Sequence, residues 1–418
     1  MANKTPVSCV LPPYLRRSLL LRGAIIKLTL LAAGKFIMKF TKVVLLLFLL
    51  CVLCGQLTAQ EWKTLKDGIE YAEVTKEISG LKVNMNLLRL DLRKVRLDVN
   101  HAMDAAIGTE KTSSIATRHG AFAAINAGFF RLDTSIWAGD AEGILGIDGQ
   151  LLSEPKGQRI QLWINNGPRQ TDVFMSRTDF SEGVLFGSDE LQFTGINRER
   201  KADDLILYTP QFGQKTLTNG DGVEVAVIKF KVGSSLISLG NAVIPKDGFV
   251  VSASGSYVEK LRSAVQQNDR VKITRKWEGP PERLAPGIYK NGKELDVTNG
   301  VPQLIKSGKI DITWEQEMTT RSFVETRHPR TAVAKLKDGK FLMITVDGRT
   351  ESSGGIGLQD LAEYLLSLGA TDAMNLDGGG STTMFVDGKV VNHPSDKEGE
   401  RKVSDAILVT PRVKSPKK

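Results

Sequence analysis

Two carboxylates and two arginines carry the chemistry most readily read from this chain. Asp377 precedes three glycines and three hydroxyl residues, in Leu376-Asp377-Gly378-Gly379-Gly380-Ser381-Thr382-Thr383. Glycine runs cost backbone entropy, so a compact protein keeps one where the chain turns sharply or approaches something closely. An acid beside exposed amides reads as an anion site. Gly378, Gly379 and Gly380 would offer N–H groups, and Ser381 and Thr382 hydroxyl donors. The competing structural reading is a tight turn with Asp377 capping backbone amides. Asp347 opens a second polar stretch, Asp347-Gly348-Arg349. Arg330 lies in Arg327-His328-Pro329-Arg330-Thr331 and offers a planar fork for phosphate oxygens. His328 offers a donor to an oxyanion or a sugar hydroxyl. The same segment also reads as a solvated basic turn. No second His or Cys stands at ligand spacing from His328, so it is not read as a metal ligand.

These residues need elements to position them. Residues 331–336, the turn Asp338-Gly339 and residues 341–346 read as a hairpin. Leu358, Leu361, Ala362, Leu365 and Leu368 fall at helical spacing, and Gly369 is a natural stop. Residues 373–376 form a short strand that ends at Asp377. Strand, helix, strand makes a crossover whose two strands run parallel. Asp347 and Asp377 then share one sheet edge, where ligands bind outside the carboxyl ends of strands. Adjacent strands would set the acids roughly 5 Å apart, and one intervening strand roughly 10 Å apart. Those distances bracket the carboxylate separations of glycoside hydrolysis.

The first half is strand-rich. Residues 82–88 and 95–99 alternate apolar and polar, and segments from 81 to 100 should join the core. Residues 121–125 are a continuous apolar run ending in Asn126-Ala127-Gly128-Phe129-Phe130. Asn126 is a candidate for a sugar amide or hydroxyl, with Gly128 beside it; Phe130 reads as core. Asn299 precedes Gly300 and reads equally as turn or pocket. Glu142 and Asp140 are spare candidates for an acid or base. His101 and His393 stand alone and receive no role. The predicted fold is one α+β domain with a mixed, mostly antiparallel sheet and a βαβ crossover near the C-terminus.

Composition narrows the class. Residues 38–59 read as a signal peptide, with Lys39 and Lys42 before an apolar run too short to span a bilayer comfortably. Residues 1–37 read as an upstream extension, 60–412 as the folded domain and 413–418 as a disordered tail. Residues 1–59 hold eight Lys or Arg and no acid, so without them the charge falls from +9 to about +1. The basic balance therefore belongs to the leader, and nucleic acid is not implied. Cys9, Cys51 and Cys54 all lie there too, which excludes disulfides and thiolate catalysis from the mature chain. The expected location is periplasm, cell surface or extracellular space, with no stable membrane span after cleavage.

Four segments occur in order: Ile125-Asn126-Ala127-Gly128-Phe129-Phe130, Arg327-His328-Pro329-Arg330-Thr331-Ala332, Val346-Asp347-Gly348-Arg349 and Asn375-Leu376-Asp377-Gly378-Gly379-Gly380-Ser381. With the Leu368-Gly369-Ala370 stop, they resemble the phosphodiester glycosidase domain family. Tyr208-Thr209-Pro210-Gln211-Phe212-Gly213 and Arg401-Lys402-Val403-Ser404-Asp405-Ala406 also resemble its segments. Ala127 and Ala334 stand where the family often has glycine. The resemblance implies a hydrolase that breaks the C–O bond between an anomeric carbon and phosphate, in a sugar 1-phosphodiester of the N-acetylglucosamine type. It implies a phosphoglycan substrate, in exopolysaccharide or envelope-glycan metabolism. Asp377 is expected as base or nucleophile, Asp347 as the residue that positions the sugar or a metal, and Arg330 as the catalytic cation. Asn126, Gly128, His328, Thr331, Arg349, Asn299, Glu142 and residues 378–382 are expected to bind substrate. No cofactor is required, and a structural Ca or Mg ion is compatible. Two other readings stay open: a metal-dependent phosphodiesterase that breaks P–O, and an anionic-glycan-binding envelope protein without catalysis.

Overall fold

The structure is a computed structural model that describes residues 60–265, 270–278 and 295–412. The chain divides into two units, Met1–Glu61 and Trp62–Lys418. The expected signal segment and basic tail lie outside the described residues. Among the described residues, no helix is long and apolar enough to cross a membrane.

The second unit is mostly β. Its largest sheet has eight strands, in the order Lys63–Lys66, Ile69–Ile78, Leu81–Leu90, Phe341–Val346, Arg330–Leu336, Ala370–Asn375, Gln303–Lys306 and Lys309–Ile310. Its central strands Phe341–Val346 and Arg330–Leu336 are buried almost throughout, which explains their near-continuous apolar sequences, whereas Lys63–Lys66 and Ile69–Ile78 at one edge are largely exposed and polar. Period-two alternation then sorts the side chains. Phe341 and Met343 enter one core with Leu88, Leu90 and Val333. Leu342, Ile344 and Val346 enter another, where the helix Leu358–Ser367 contributes Leu358, Leu361, Ala362 and Leu365. Truncating one of these leucines to Ala would cost about 2–5 kcal/mol.

A five-stranded sheet supplies the opposite wall of the first core, in the order Lys389–Val390, Met384–Val386, Ala123–Asn126, Asp405–Pro411 and Val95–His101. Two further five-stranded sheets and a three-stranded one complete the larger sheets, the latter two in the region from Asp179–Phe186 to Val271–Glu278.

Sequence periodicity pointed to one mixed sheet, and here the structure differs. Every hydrogen-bonded pair of the eight-stranded sheet is antiparallel. The strands Phe341–Val346 and Ala370–Asn375 share a direction because both pair antiparallel with Arg330–Leu336, which lies between them. The helix after Val346 carries the chain over that middle strand. Local patterning specifies each strand but not its neighbour.

Candidate active site

The middle strand is the ruler of the site. Arg330, its first residue, pairs with Val346, the residue before Asp347. On its other side Ala332 pairs with Asn375, and continuing that register by two residues brings Asp377 opposite Arg330. Leu376 N donates to Thr331 O at 2.9 Å at that step. Asp347 and Asp377 therefore leave the sheet at one edge, with backbones roughly 10 Å apart across the Arg330 strand.

Asp347 is buried and held in place. Its Oδ1 accepts from the backbone amide of His393 at 3.0 Å and from Asn392 Nδ2 at 3.4 Å. Asn392 Nδ2 also donates to Thr382 O at 3.0 Å, so one side chain touches both acidic loops. Burial raises the Asp347 carboxyl above its usual range, and the His393 amide and Asn392 oppose the rise.

Asp377 keeps some contact with solvent, yet the dense packing around it pushes its carboxyl up to about 6. The Ser381 hydroxyl, the Gly378 amide and the Arg401 charge pull the other way, while Asp405 adds to the rise. A carboxylate poised near neutrality suits a base or a nucleophile.

Positive charge gathers between and above the two acids. Arg330 is only 1% exposed. It donates to three backbone carbonyls, Phe323 at 2.6 Å, Thr326 at 2.9 Å and Ile356 at 3.3 Å, and stacks 4.8 Å from the Phe323 ring. Burial, and then the nearby Arg349 charge, lower it to about 10. Arg349 Nη2 lies 3.1 Å from His328 Nδ1. His328 is held below its usual range by burial, then by Arg330 and Arg349, so near neutral pH the imidazole is uncharged and accepts from Arg349. Among the described residues, neither Arg330 nor Arg349 forms an ion pair with a carboxylate. Two unneutralised guanidiniums at one sheet edge favour an anion.

The glycine run is explained by what packs on it. A Cβ on Gly378 would meet Pro329 O at 2.8 Å, and one on Gly380 would meet both Arg401 Nη2 and Asp396 Oδ1 at 2.2 Å. Gly379 has a φ of +61° and lies under the Arg349 guanidinium. The expected phosphate cradle needs correction. The Gly378 amide donates to Asp377 Oδ1, and the Gly379 amide to Pro329 O, both at 2.9 Å. Among the described residues only the Gly380 amide of the three keeps no internal acceptor. Ser381 and Thr382 are also buried, and among the described residues neither hydroxyl finds a hydrogen-bond partner, although Ser381 lies near enough to Asp377 to lower its pKa.

Four other expected substrate contacts are internal struts instead. Asn126 is fully buried; it donates to Asp377 O at 2.7 Å and accepts from Thr331 Oγ1 at 2.7 Å and Thr383 N at 3.1 Å. Thr331 is thereby consumed as well. Asn299, 1% exposed, accepts from Phe129 N at 3.3 Å, and the Gly128 amide donates to buried Asp405 at 3.1 Å. Glu142 is half-exposed, bonded to Lys156 at 2.9 Å, and lines a different cavity together with Asp140.

Three site residues escaped the sequence reading. Asn392 and His393 grip Asp347 from a loop with no regular pattern. Arg401, paired with Asp396 at 2.7 Å, packs on Gly380. The Arg401-to-Ala406 segment was the available signal, but nothing in its spacing ties it to Asp377. Among the described residues no three of His, Cys, Asp and Glu cluster as a metal site, so the Ca or Mg expectation acquires no ligand set.

The family profile described as phosphodiester glycosidase matches residues 217–410. The chain is 42% identical over 94 residues to an uncharacterized SPbeta prophage-derived protein of Bacillus subtilis (strain 168), which is 22% of this chain and 14% of that protein. It is 36% identical over 156 residues to the N-acetylglucosamine-1-phosphodiester alpha-N-acetylglucosaminidase of Bos taurus, 32% of this chain and 29% of that one. The chain spans less than a third of the length of either relative. A hypothetical protein from Synechocystis has a similar fold, with a TM-score of 0.71 at 23% identity over 85% of this chain and 64% of that one.

Proposed function

Residues 217–410 belong to the phosphodiester glycosidase family, and on that premise we propose that this chain is an exported hydrolase of sugar 1-phosphodiesters. The substrate class is the N-acetylglucosamine-phosphate type that the name of the bovine relative states for that protein. The leader pattern at residues 38–59 supports export, and envelope or exopolysaccharide glycans are the proposed setting. One observation carries the reading: two acids with raised pKa values flank a strand whose first residue is a buried arginine without a carboxylate partner.

In the proposed reaction Arg330 and Arg349 hold the phosphodiester by charge. Asp377 takes a proton from a water that attacks the anomeric carbon, or attacks that carbon itself to form a glycosyl ester that water then hydrolyses. The C–O bond breaks, and its electron pair leaves on the phosphate oxygen. That oxygen is weakly basic, so its departure needs charge stabilisation more than a strong acid. Asp347, fixed by the His393 amide, holds the sugar. The chain's own groups perform these steps, and parallel assays with and without a chelator test that point.

The test is hydrolysis of N-acetylglucosamine 1-phosphodiesters in ¹⁸O water. Label on the sugar product supports the reading. Label on the phosphate would overturn it in favour of P–O cleavage. Binding without turnover would overturn it in favour of a glycan-binding protein.

A further inference from the structure

We propose that the cavity lined by Arg131, Asp140, Glu142, Glu154, Arg198 and Lys201 is a saccharide subsite, which receives the hydroxyl-rich part of the substrate beyond the phosphate. Its place in catalysis rests on the hydrolase reading; its capacity to bind sugar does not.

The cavity measures about 540 Å³, within the range of small-molecule sites. Its charges are largely paired among themselves. Arg198 bonds Glu154 at 2.7 Å and Asp204 at 2.8 Å, Arg131 bonds Asp133 and Glu199, and Lys156 bonds Glu142 at 2.9 Å. A wall of ion pairs holds its side chains fixed and has little net attraction for phosphate. It presents spare carboxylate lone pairs, which suit hydroxyl donors. Asp140 stands apart. Among the described residues no hydrogen bond reaches its carboxyl, although the residue is half-buried and lines the cavity. Burial, and then the nearby Glu154, push that carboxyl up to about 7. At neutral pH it can both donate to and accept from a sugar hydroxyl.

The cavity lies close to the acids. Asp377 N donates to Ala127 O at 2.9 Å, and Glu142 N donates to Phe129 O at 2.7 Å. Two residues span at most about 7 Å, so the Asp377 and Glu142 backbones lie within roughly 13 Å of each other. Phe129, whose carbonyl meets Glu142, also packs toward Arg330. The Phe129 ring meets Phe323 edge-on at 6.1 Å, and Arg330 stacks on Phe323. The lining residues fall between 131 and 201, outside the stretch that matches the family.

The experiment titrates the full chain with neutral, unphosphorylated disaccharides, read by ligand-observed NMR. Probes are chitobiose, mannobiose and maltose. At least one is expected to bind at millimolar concentration, and Asp140→Asn and Lys201→Ala are each expected to weaken it about tenfold. No binding to the wild-type chain, or binding untouched by both variants, would overturn the subsite. Wild-type turnover of N-acetylglucosamine 1-(methyl phosphate) is measured in parallel. If it is absent while disaccharide binding and its loss in the variants persist, the hydrolase reading falls and the subsite stands.

Discussion

Asn126 donates from Nδ2 to the backbone carbonyl of Asp377 at 2.7 Å. Its Oδ1 closes two more bonds, to Thr331 and to the Thr383 amide. One buried amide thus binds the start of the acidic loop, the middle strand and the strand that leaves the loop. Asn126→Ala should leave the Thr383 amide and the Thr331 hydroxyl without their acceptor. At about 1 kcal/mol or more per bond, the expected loss is about 3 kcal/mol, measured by urea unfolding. A loss below about 0.5 kcal/mol would contradict the strut role.

Asp377 should set the acid limb of the pH profile. Burial pushes its carboxyl up to about 6, from an ordinary value of 3.8. The folded state therefore binds more protons between those values. The protonated side chain is tolerated below pH 3.8, and stability is lost as pH rises through 6. Asp377→Asn should stabilise the fold by about 3 kcal/mol at pH 7.5 and by little at pH 4. Thermal melts at the two pH values check the sign.

The same substitution should cost activity. If ionised Asp377 is base or nucleophile, Asp377→Asn lowers kcat on a sugar 1-phosphodiester by at least about a hundredfold. In the wild type, kcat/KM should fall tenfold per pH unit below about 6. A flat profile between pH 4 and 7 would remove Asp377 from the chemistry.

Arg349 is coupled to His328, whose pKa it lowers after burial and Arg330 have acted. Arg349→Ala should move the His328 titration upward, seen in histidine-ring NMR spectra. It should also raise KM for the phosphodiester about tenfold or more, through the lost charge. An unmoved His328 resonance would place Arg349 elsewhere in solution.

Gly380→Ala tests the packing of the glycine run. The added methyl would lie 2.2 Å from both members of the Arg401–Asp396 pair. Displacing that pair should cost about 1–3 kcal/mol. Because Arg401 favours the ionised form of Asp377, the acid limb of the rate profile should also shift to higher pH. Unchanged stability and profile would mean that the pair can step aside freely.

Much of this site was legible because its parts are local. Asp347 and Asp377 end strands, and the apolar spacing of 358–368 marks the helix between them. Side-chain chemistry alone did not say which groups remain free. Asn126, Thr331 and Asn299 have sugar-binding side chains, but they are spent on neighbours that lie far along the chain. The Gly379 amide looked open because its acceptor, Pro329 O, lies about fifty residues upstream, and the Gly378 amide because Asp377 turns back onto it. Asn392 and His393 were invisible for the converse reason: their contribution to Asp347 depends on where a loop lies, and one of them acts only through its backbone.

The burial of Arg330 has a consequence for ionic strength. A guanidinium enclosed by carbonyls is shielded from dissolved ions, whereas surface charge is damped within a Debye length of about 10 Å at 0.1 M salt. The grip on a docked anion should therefore outlast conditions that abolish long-range attraction. Salt would slow the approach of substrate while leaving its residence at the sheet edge nearly intact.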